Sequence, residues 1–391
     1  MDFELSEELK MIQTLARDFV NDHLKSLERD TLGRNADLSD ARAYLPEDTE
    51  KQLIRLAQET GLWGAGVPEE FGGAGLSVLG ACLAEEELAQ TAVPFNFGDV
   101  SPLLFDCNDS QMEKYFLPAL NGQKRPYLAL MEPDRGADIS AIGLTADKDS
   151  DGYVLDGKKV SFSRPGEDYF AVVFAVTSES VSAREGITCF LVDKDAPGFS
   201  VSGDEEQTGW RSQVRTPVTL TFEQCRVTEK DILGEEGGAF NLGRKWLPAR
   251  RIIRGARSLG AARRLLEEAA TRAESTETFG SPIAGRTGIQ AGLADIAADI
   301  HACQLIVYEA AWMADEGKSV LRDTALVKLF ATQMLHRVAD KVTQIYGGPP
   351  HISGLPMEQL CRGALATSAT ELAMELQRNI IARDILKGLR V

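Results

Sequence analysis

The 391-residue sequence contains few of the residues that form metal and disulfide sites. It has four histidines and no CxxC pair. Its six cysteines lie far apart, at Cys82, Cys107, Cys189, Cys225, Cys303 and Cys361. Zinc sites and disulfide frameworks are recognised by closely spaced ligands or regular cysteine spacings. We therefore expect no metal site, and we expect the thiols to stay reduced.

An excess of basic residues and a long apolar run are also absent. The 42 Lys and Arg residues against 59 Asp and Glu give a net charge of −17, whereas nucleic acids and anionic membranes attract basic surfaces. No run approaches the ~18 apolar residues of a membrane span. The N-terminus, "MDFELSEELKMIQTLARDF", lacks the pattern of a signal peptide. These features predict a soluble cytoplasmic protein without a nucleic-acid or membrane partner.

Three regions of different residue pattern follow one another along the chain. Residues 1–126 show helical periodicity, interrupted by a polar connection at 31–49. Residues 127–237 contain the strand-like runs "GYVLDGKKVSFS", "YFAVVFAVT", "ITCFLVDK" and "PVTLTFEQCRV". Residues 238–391 return to helical spacing, for example at Ile289, Leu293, Ile296 and Ile300. The sequence predicts an α+β fold with an N-terminal helical domain, a central β domain and a C-terminal helical bundle.

Two glutamates lie near the C-terminus in "ATSATELAMELQ", residues 366–377. Glu371 follows Ser368 by three residues, which is the signature of a capping box at a helix N-terminus. A carboxylate can also act as a catalytic base. The local pattern favours the cap, and the choice depends on the rest of the chain.

Seven motifs are spread along nearly the whole chain. They are "PEEFGGAGL" (68–76), "LALMEPDRGADIS" (128–140), "YVLDGKKVSFS" (153–163), "LTFEQCRVTEKDILGEEGGAF" (220–240), "TFGSPIAGRTGIQ" (278–290), "QIYGGPPHISGLPMEQLCRG" (344–363) and "QRNIIAR" (377–383). They occur in the order found in acyl-CoA dehydrogenases, and the chain resembles this family over nearly its whole length. The resemblance implies FAD bound between the β domain and a C-terminal four-helix bundle. It also implies a tetramer built from dimers.

The resemblance implies α,β-desaturation of an acyl-CoA thioester. This reaction needs a base for the α proton and an acceptor for the β hydride. Counted without gaps from "QRNIIAR" and from Arg362, the family's base falls on Glu371, and flavin N5 takes the hydride. The family's flanking Tyr, Gly and Thr are Thr370, Leu372 and Ala373 here. Electrons would pass to an electron-transfer flavoprotein.

The resemblance also assigns the cofactor contacts. They fall on Leu130, Met131, Gly136, Ala137, Ser163, Thr278, Phe279, Gln344, Gly347, Gly348 and Glu375. Met131 and Ala137 replace family residues that carry hydroxyl groups. The arginine of the RxxFG motif, which reaches the FAD pyrophosphate across a subunit contact, is Thr276 here. Arg272 or Arg286 is the candidate replacement, because either guanidinium can bind phosphate.

Arginines concentrate on the helix expected near 245–272. Arg250, Arg254, Arg257 and Arg264 share one face at helical spacing. They form either a surface for CoA phosphates or a stripe paired with glutamates. Arg251 matches the second residue of the family's Glu-Arg pair, and the resemblance assigns it to substrate binding. Because the first residue is Arg250, the alternative base that some relatives use is absent.

The resulting hypothesis is an FAD-dependent acyl-CoA dehydrogenase of lipid metabolism, either a homotetramer or an α2β2 heterotetramer. The altered flavin contacts keep a second hypothesis open, a half-site or non-catalytic subunit of a heteromeric enzyme for steroid-derived CoA esters. A third is a flavin-dependent oxidase or hydroxylase on the same fold. The sequence does not identify the acyl group.

Overall fold

The computed structural model describes residues 4–35, 45–98, 100–133, 135–136, 141–163, 168–178, 183–202, 216–348, 355–368 and 373–388. The helices are α1 (Glu7–Phe19), α2 (Glu28–Asn35), α3 (Glu47–Glu59), α4 (Val78–Leu88), α5 (Asp109–Gln111), α6 (Leu117–Leu120), α7 (Ala183–Gly186), α8 (Leu247–Ser275), α9 (Thr287–Asp315), α10 (Leu321–Tyr346), α11 (Pro356–Ala366) and α12 (Met374–Leu386). The strands are β1 (Arg125–Ala129), β2 (Thr145–Asp149), β3 (Gly152–Ser163), β4 (Tyr169–Val176), β5 (Ile187–Asp193), β6 (Phe199–Ser202), β7 (Thr216–Val227), β8 (Glu277–Thr278) and β9 (Ser281–Pro282).

The chain divides into two compact units, which we call the helical unit and the sheet unit. The helical unit combines Met1–Phe97 with Pro248–Val391, and the sheet unit is Gly98–Leu247. The first and last parts of the chain thus fold together. The predicted division at 1–126, 127–237 and 238–391 stays a prediction.

Long amphipathic helices build the helical unit. Ile296 and Ile300 of α9 are buried in its core, and Ile289 and Leu293 pack against that core, as their spacing predicts. Ser6 and Ser77 cap α1 and α4 by accepting hydrogen bonds from backbone N–H groups. The polar connection predicted at 31–49 is partly wrong, because α2 continues to Asn35 and α3 begins at Glu47.

Glycine lets α8 approach α4 closely inside the helical unit. A Cβ atom built on Gly260 would lie 1.9 Å from the carbonyl oxygen of Glu86. Two helix backbones approach this closely only where one of them lacks a side chain. Gly260 therefore fixes the packing distance between α8 and α4.

The sheet unit is built on a seven-stranded sheet in the order β1-β4-β2-β3-β7-β6, with β5 paired to β4. The long strands β3 and β7 pair antiparallel from Tyr153–Val227 to Ser163–Thr216. The four strand-like runs of the sequence correspond to β3, β4, β5 and β7, which confirms the predicted strands and the α+β fold. This sheet holds the loop after β1 that the sequence assigns to the cofactor.

Candidate cofactor and active site

The loop that follows β1 is fastened to the neighbouring strand β3. The backbone N–H of Val160 donates to the carbonyl of Met131 at 2.8 Å. The ammonium group of Lys159 donates to the Leu130 carbonyl at 3.3 Å. Two of the predicted cofactor residues, Leu130 and Met131, therefore have fixed backbone positions in the sheet unit.

A buried ion pair anchors this loop. Lys159 Nζ donates to Glu132 Oε1 at 2.8 Å, and the two side chains are 0% and 8% exposed. The Glu132 carboxylate also accepts from the N–H groups of Gly143 and Leu144, each at 2.9 Å. Burial alone would raise the pKa of Glu132, but these hydrogen bonds together outweigh it and hold the pKa below its usual value. The sequence alone did not single out Lys159, because a lysine in a strand is ordinarily a solvent-exposed residue.

The remaining predicted cofactor residues of the sheet unit are described in part. Gly136 has φ +57°, and a Cβ built there would meet no atom within 4 Å. Ser163 ends β3 opposite Thr216, with only its backbone described. Ala137 lies outside the described residues.

In the helical unit, Thr278 and Phe279 lie at the hairpin of β8 and β9. Phe279 has φ +52° and is 98% exposed. Arg286 donates from Nη2 to the Thr278 carbonyl at 2.8 Å, and its guanidinium lies 5.7 Å from the centroid of the Phe279 ring. The hairpin thus presents an exposed aromatic ring and a cation together.

Thr276, at the family's arginine position, lies just before this hairpin. Its Oγ1 and the Nε of Arg272 are buried and have no hydrogen-bond partner in the described part of the chain. The Arg272 guanidinium lies 5.7 Å from the Tyr346 ring centroid, and the Tyr346 hydroxyl donates to Glu268 at 2.8 Å. Arg272 is therefore held against Tyr346, whereas Arg286 is held at the hairpin.

The C-terminal end of α10 carries three of the predicted residues. Gln344 is exposed, with its Nε2 3.4 Å from Asp340 Oδ2. Gly347 ends the helix with φ +75°, and Cβ atoms built on Gly347 or Gly348 would meet no atom within 4 Å. This turn leaves open space in which a ligand can approach the backbone.

The structure describes the residues on both sides of the predicted base, up to Ser368 and again from Ala373. Glu371 itself lies outside the described residues. The alternative in which Ser368 caps the last helix is wrong, because α12 begins at Met374 with Ala373 as its N-cap. Ser368 lies five residues before that cap and contacts His336, with Oγ 3.2 Å from Nε2. Glu375 is exposed in the first turn of α12 and pairs with Arg378 at 3.3 Å.

The arginines of α8 differ in their partners. Arg257 pairs with Glu85 at 2.5 Å, and Arg264 pairs with Glu28 at 3.2 Å and with Glu268 at 2.7 Å. For these two arginines the glutamate-paired alternative is confirmed, and the CoA-binding alternative loses its support. Arg251, the predicted substrate residue, is half-buried on the same helix.

The helical unit fits a cofactor that joins aromatic rings to phosphates. It offers an exposed ring with a neighbouring cation at Phe279 and Arg286, and an open glycine turn at Gly347. The buried polar atoms without a partner at Thr276 and Arg272 add hydrogen-bonding capacity.

By contrast, the described residues contain no group of three or more His, Cys, Asp or Glu side chains able to hold a metal ion. No helix in the described ranges is long and apolar enough to cross a membrane.

Comparison with protein-family models matches three domains in order along the chain. The acyl-CoA dehydrogenase N-terminal domain matches residues 6–123, the middle domain 128–225 and the C-terminal domain 240–386. Together these matches cover most of the chain, including the loop after β1, the β8–β9 hairpin and both helices that flank Glu371.

Individual proteins are similar over nearly their full lengths. The chain is 31% identical to (R)-benzylsuccinyl-CoA dehydrogenase of Thauera aromatica, over 99% of this chain and 97% of that protein. It is 32% identical to the mitochondrial short-chain specific acyl-CoA dehydrogenase of Sus scrofa, over 99% and 92%. Among solved structures, that of the electron transferring flavoprotein of Acidaminococcus fermentans contains a similar chain, with a TM-score of 0.85, 30% identity and coverage of 99% and 100%.

Proposed function

Since the chain belongs to the acyl-CoA dehydrogenase family of FAD-dependent oxidoreductases, we propose that it desaturates an acyl-CoA thioester between its α and β carbons, with Glu371 as the base. The observation that carries this proposal is that all three domain matches occur together with a carboxylate at position 371. Bound FAD supplies the two-electron acceptor that no side chain can provide. The carboxylate of Glu371 takes the α proton.

The residues of both units have separate roles in this proposal. In the sheet unit, the residues that would contact the flavin are Leu130, Met131, Gly136, Ala137 and Ser163. The Lys159–Glu132 pair holds the start of the loop that carries the first two. In the helical unit, the cofactor contacts are Thr278, Phe279, Gln344, Gly347, Gly348 and Glu375. Arg251 binds the substrate.

Arg286 takes the phosphate-binding role that the family gives to an arginine at the position of Thr276. Its guanidinium is held beside the exposed Phe279 and by the Thr278 carbonyl. A guanidinium in this setting can donate charge-assisted hydrogen bonds to a pyrophosphate. Arg272 is the weaker candidate, because its Nε is buried whereas the Arg286 side chain is exposed.

The proposed electron acceptor is an electron-transfer flavoprotein. The family resemblance supports this partner, and so does the similar chain in the structure of the flavoprotein of Acidaminococcus fermentans. The assembly is proposed to be a homotetramer or an α2β2 heterotetramer.

An anaerobic titration of the purified holoenzyme tests the proposed reaction. The panel contains straight-chain, branched-chain, aromatic and polycyclic acyl-CoA thioesters. Benzylsuccinyl-CoA represents the substrate in the name of one relative, and butyryl-CoA is a short-chain acyl-CoA of the class in the name of another. At least one member is expected to abolish the visible flavin absorbance and to yield the α,β-unsaturated thioester. No bleaching with any member, or oxygen consumption without an added acceptor, would count against the proposal.

A half-site subunit of a heteromeric enzyme is the second candidate, and Thr276 favours it. In the family the arginine at this position contacts FAD across a subunit contact, so its replacement is compatible with a chain that depends on a different partner. The FAD content of the chain purified alone separates the two. The main proposal expects one FAD for each chain, whereas a half-site subunit retains FAD only after its partner is added.

A further inference from the structure

A row of polar residues lies along one face of α10. Thr324, Lys328, Thr332 and His336 follow one another at intervals of four, which places them on the same side of the helix. Thr324, Lys328 and Thr332 are buried, and His336 is half-buried. Buried polar groups of this kind cost free energy unless they are hydrogen-bonded, so their partners are informative.

Two members of this row donate to the end of α11. The ammonium group of Lys328 donates to the carbonyl of Thr367. The Nε2 atom of His336 lies 2.8 Å from the carbonyl oxygen of Ala364 and 3.2 Å from Ser368 Oγ. Because a carbonyl oxygen only accepts, the short contact to Ala364 assigns a proton to Nε2.

The contacts match what the end of a helix requires. The last carbonyls of a helix lack the regular N–H partner four residues on, and a positive charge near a helix C-terminus is favourable. The Ala364 carbonyl also accepts from Thr367, from its N–H at 3.2 Å and from its Oγ1 at 2.6 Å. Lys328 and His336 are eight residues apart, about 12 Å along α10, so the end of α11 is fastened at two separate points.

This fastened segment leads directly to residue 371. Thr367 and Ser368 precede Glu371 by four and three residues in the sequence. A base must be held close to its productive geometry, since a displacement of about 1 Å can cost about 10²-fold in rate. We propose that Lys328 and His336 are positioning residues, which act on the α-proton abstraction by setting where the chain enters the segment that carries Glu371. The inference rests on the proposed role of Glu371 as the base.

Variants of α10 test this inference in the FAD-bound protein. Lys328→Met and His336→Leu remove the two donors. His336→Gln keeps an N–H donor in the side chain and serves as the rescuing variant. Lys341→Met is the matched control, because Lys341 lies on the same helix and pairs with Asp295 at 2.7 Å. The probe is the acyl-CoA that reduces the wild-type flavin fastest.

Three quantities are measured for each variant. They are the FAD content, the dissociation constant for the acyl-CoA and the rate of flavin reduction at saturating acyl-CoA. Amide hydrogen exchange of peptides covering 360–368 provides a readout that does not depend on activity.

We expect Lys328→Met to slow flavin reduction by about 10²-fold and His336→Leu by about tenfold, with unchanged FAD content and acyl-CoA affinity. Exchange in 360–368 should accelerate in both variants, and His336→Gln should restore both readouts. Lys341→Met should match the wild type.

Wild-type reduction rates in both Lys328→Met and His336→Leu would overturn the inference, as would slower reduction without faster exchange in 360–368. Glu371→Gln separates this failure from failure of the proposed function. If Glu371→Gln reduces flavin at the wild-type rate, the base assignment itself is wrong. If only Glu371→Gln is slow, the base assignment stands and the positioning role falls.

Discussion

The two chain segments assigned to the cofactor differ in how they are held. The loop after β1 in the sheet unit is held by the buried Lys159–Glu132 ion pair. The β8–β9 hairpin in the helical unit presents Phe279 almost fully to solvent, with Arg286 beside it. In the first segment, residues of the chain itself neutralise and bond the buried charged groups, which is a structural role. In the second, an exposed ring and a cation remain accessible, which is typical of a surface that binds a ligand.

The two segments also differ in whether their buried polar atoms have hydrogen-bond partners. The Glu132 carboxylate is satisfied by Lys159 and two backbone N–H groups. Near the hairpin, buried atoms of Thr276 and Arg272 have no hydrogen-bond partner in the described ranges. Removing a contact should therefore reduce folding stability at the first segment and ligand binding at the second.

Lys159→Met should give the largest change in folding stability. It removes the only side-chain cation that the described residues place within hydrogen-bonding distance of Glu132. The buried carboxylate keeps its two backbone N–H donors and a longer contact with Arg135 at 3.8 Å, but it loses its buried counter-charge. We expect the free energy of unfolding to fall by about 3–5 kcal/mol, measured by urea denaturation. The control is Lys10→Met, which breaks the exposed pair with Glu7 and should leave the free energy of unfolding nearly unchanged. Similar losses of unfolding free energy in both variants would contradict the structural role of the Lys159–Glu132 pair.

The same pair should contribute to the dependence of stability on pH. Because hydrogen bonds to its ionised form lower the folded-state pKa of Glu132, its contribution is complete above the unfolded value near 4.5 and is lost as pH falls through the lower folded value. Urea denaturation of wild type and Glu132→Gln at several pH values measures this contribution. The stability difference should be constant near neutral pH and shrink below about pH 4.5. A difference that grows toward acid pH would contradict the assignment.

Arg286→Met should act on the cofactor and leave folding nearly unchanged. Losing a charge-assisted hydrogen bond of about 1.5–3 kcal/mol corresponds to weaker FAD binding by about tenfold to a hundredfold. Urea unfolding of the apoprotein should shift by less than about 0.5 kcal/mol, because the side chain is exposed. Arg272→Met is the competing variant, and we expect it to alter stability through its contact with Tyr346. Stronger FAD loss in Arg272→Met would reverse the assignment of the two arginines.

The sequence predicted the regular parts of the fold because those parts depend on local patterns. The strands β3, β4, β5 and β7 have short alternating or β-branched runs, and their predicted limits agree closely with the structure. The strand β2, "TADKD", was not predicted, because three of its five residues are exposed and charged. Its place depends on pairing with β3, which local propensity does not encode.

Contacts between distant parts of the chain could not be predicted in the same way. Arg264 pairs with Glu28 across 236 residues, and no local spacing indicates that partner. The Ser368–Glu371 pattern has the spacing of a cap, but Ser368 contacts His336 on α10 and the helix begins later. Tertiary contacts thus override the local signal at the candidate site.

The rate of flavin reduction in Glu371→Gln most directly tests the central claim that Glu371 is the base. Holoenzyme of both forms is mixed anaerobically with the acyl-CoA that reduces the wild-type flavin fastest, and flavin absorbance is followed in time. The account predicts that Glu371→Gln retains FAD and binds the acyl-CoA, yet loses flavin reduction by at least about 10³-fold. Reduction at the wild-type rate in an FAD-loaded variant would contradict it.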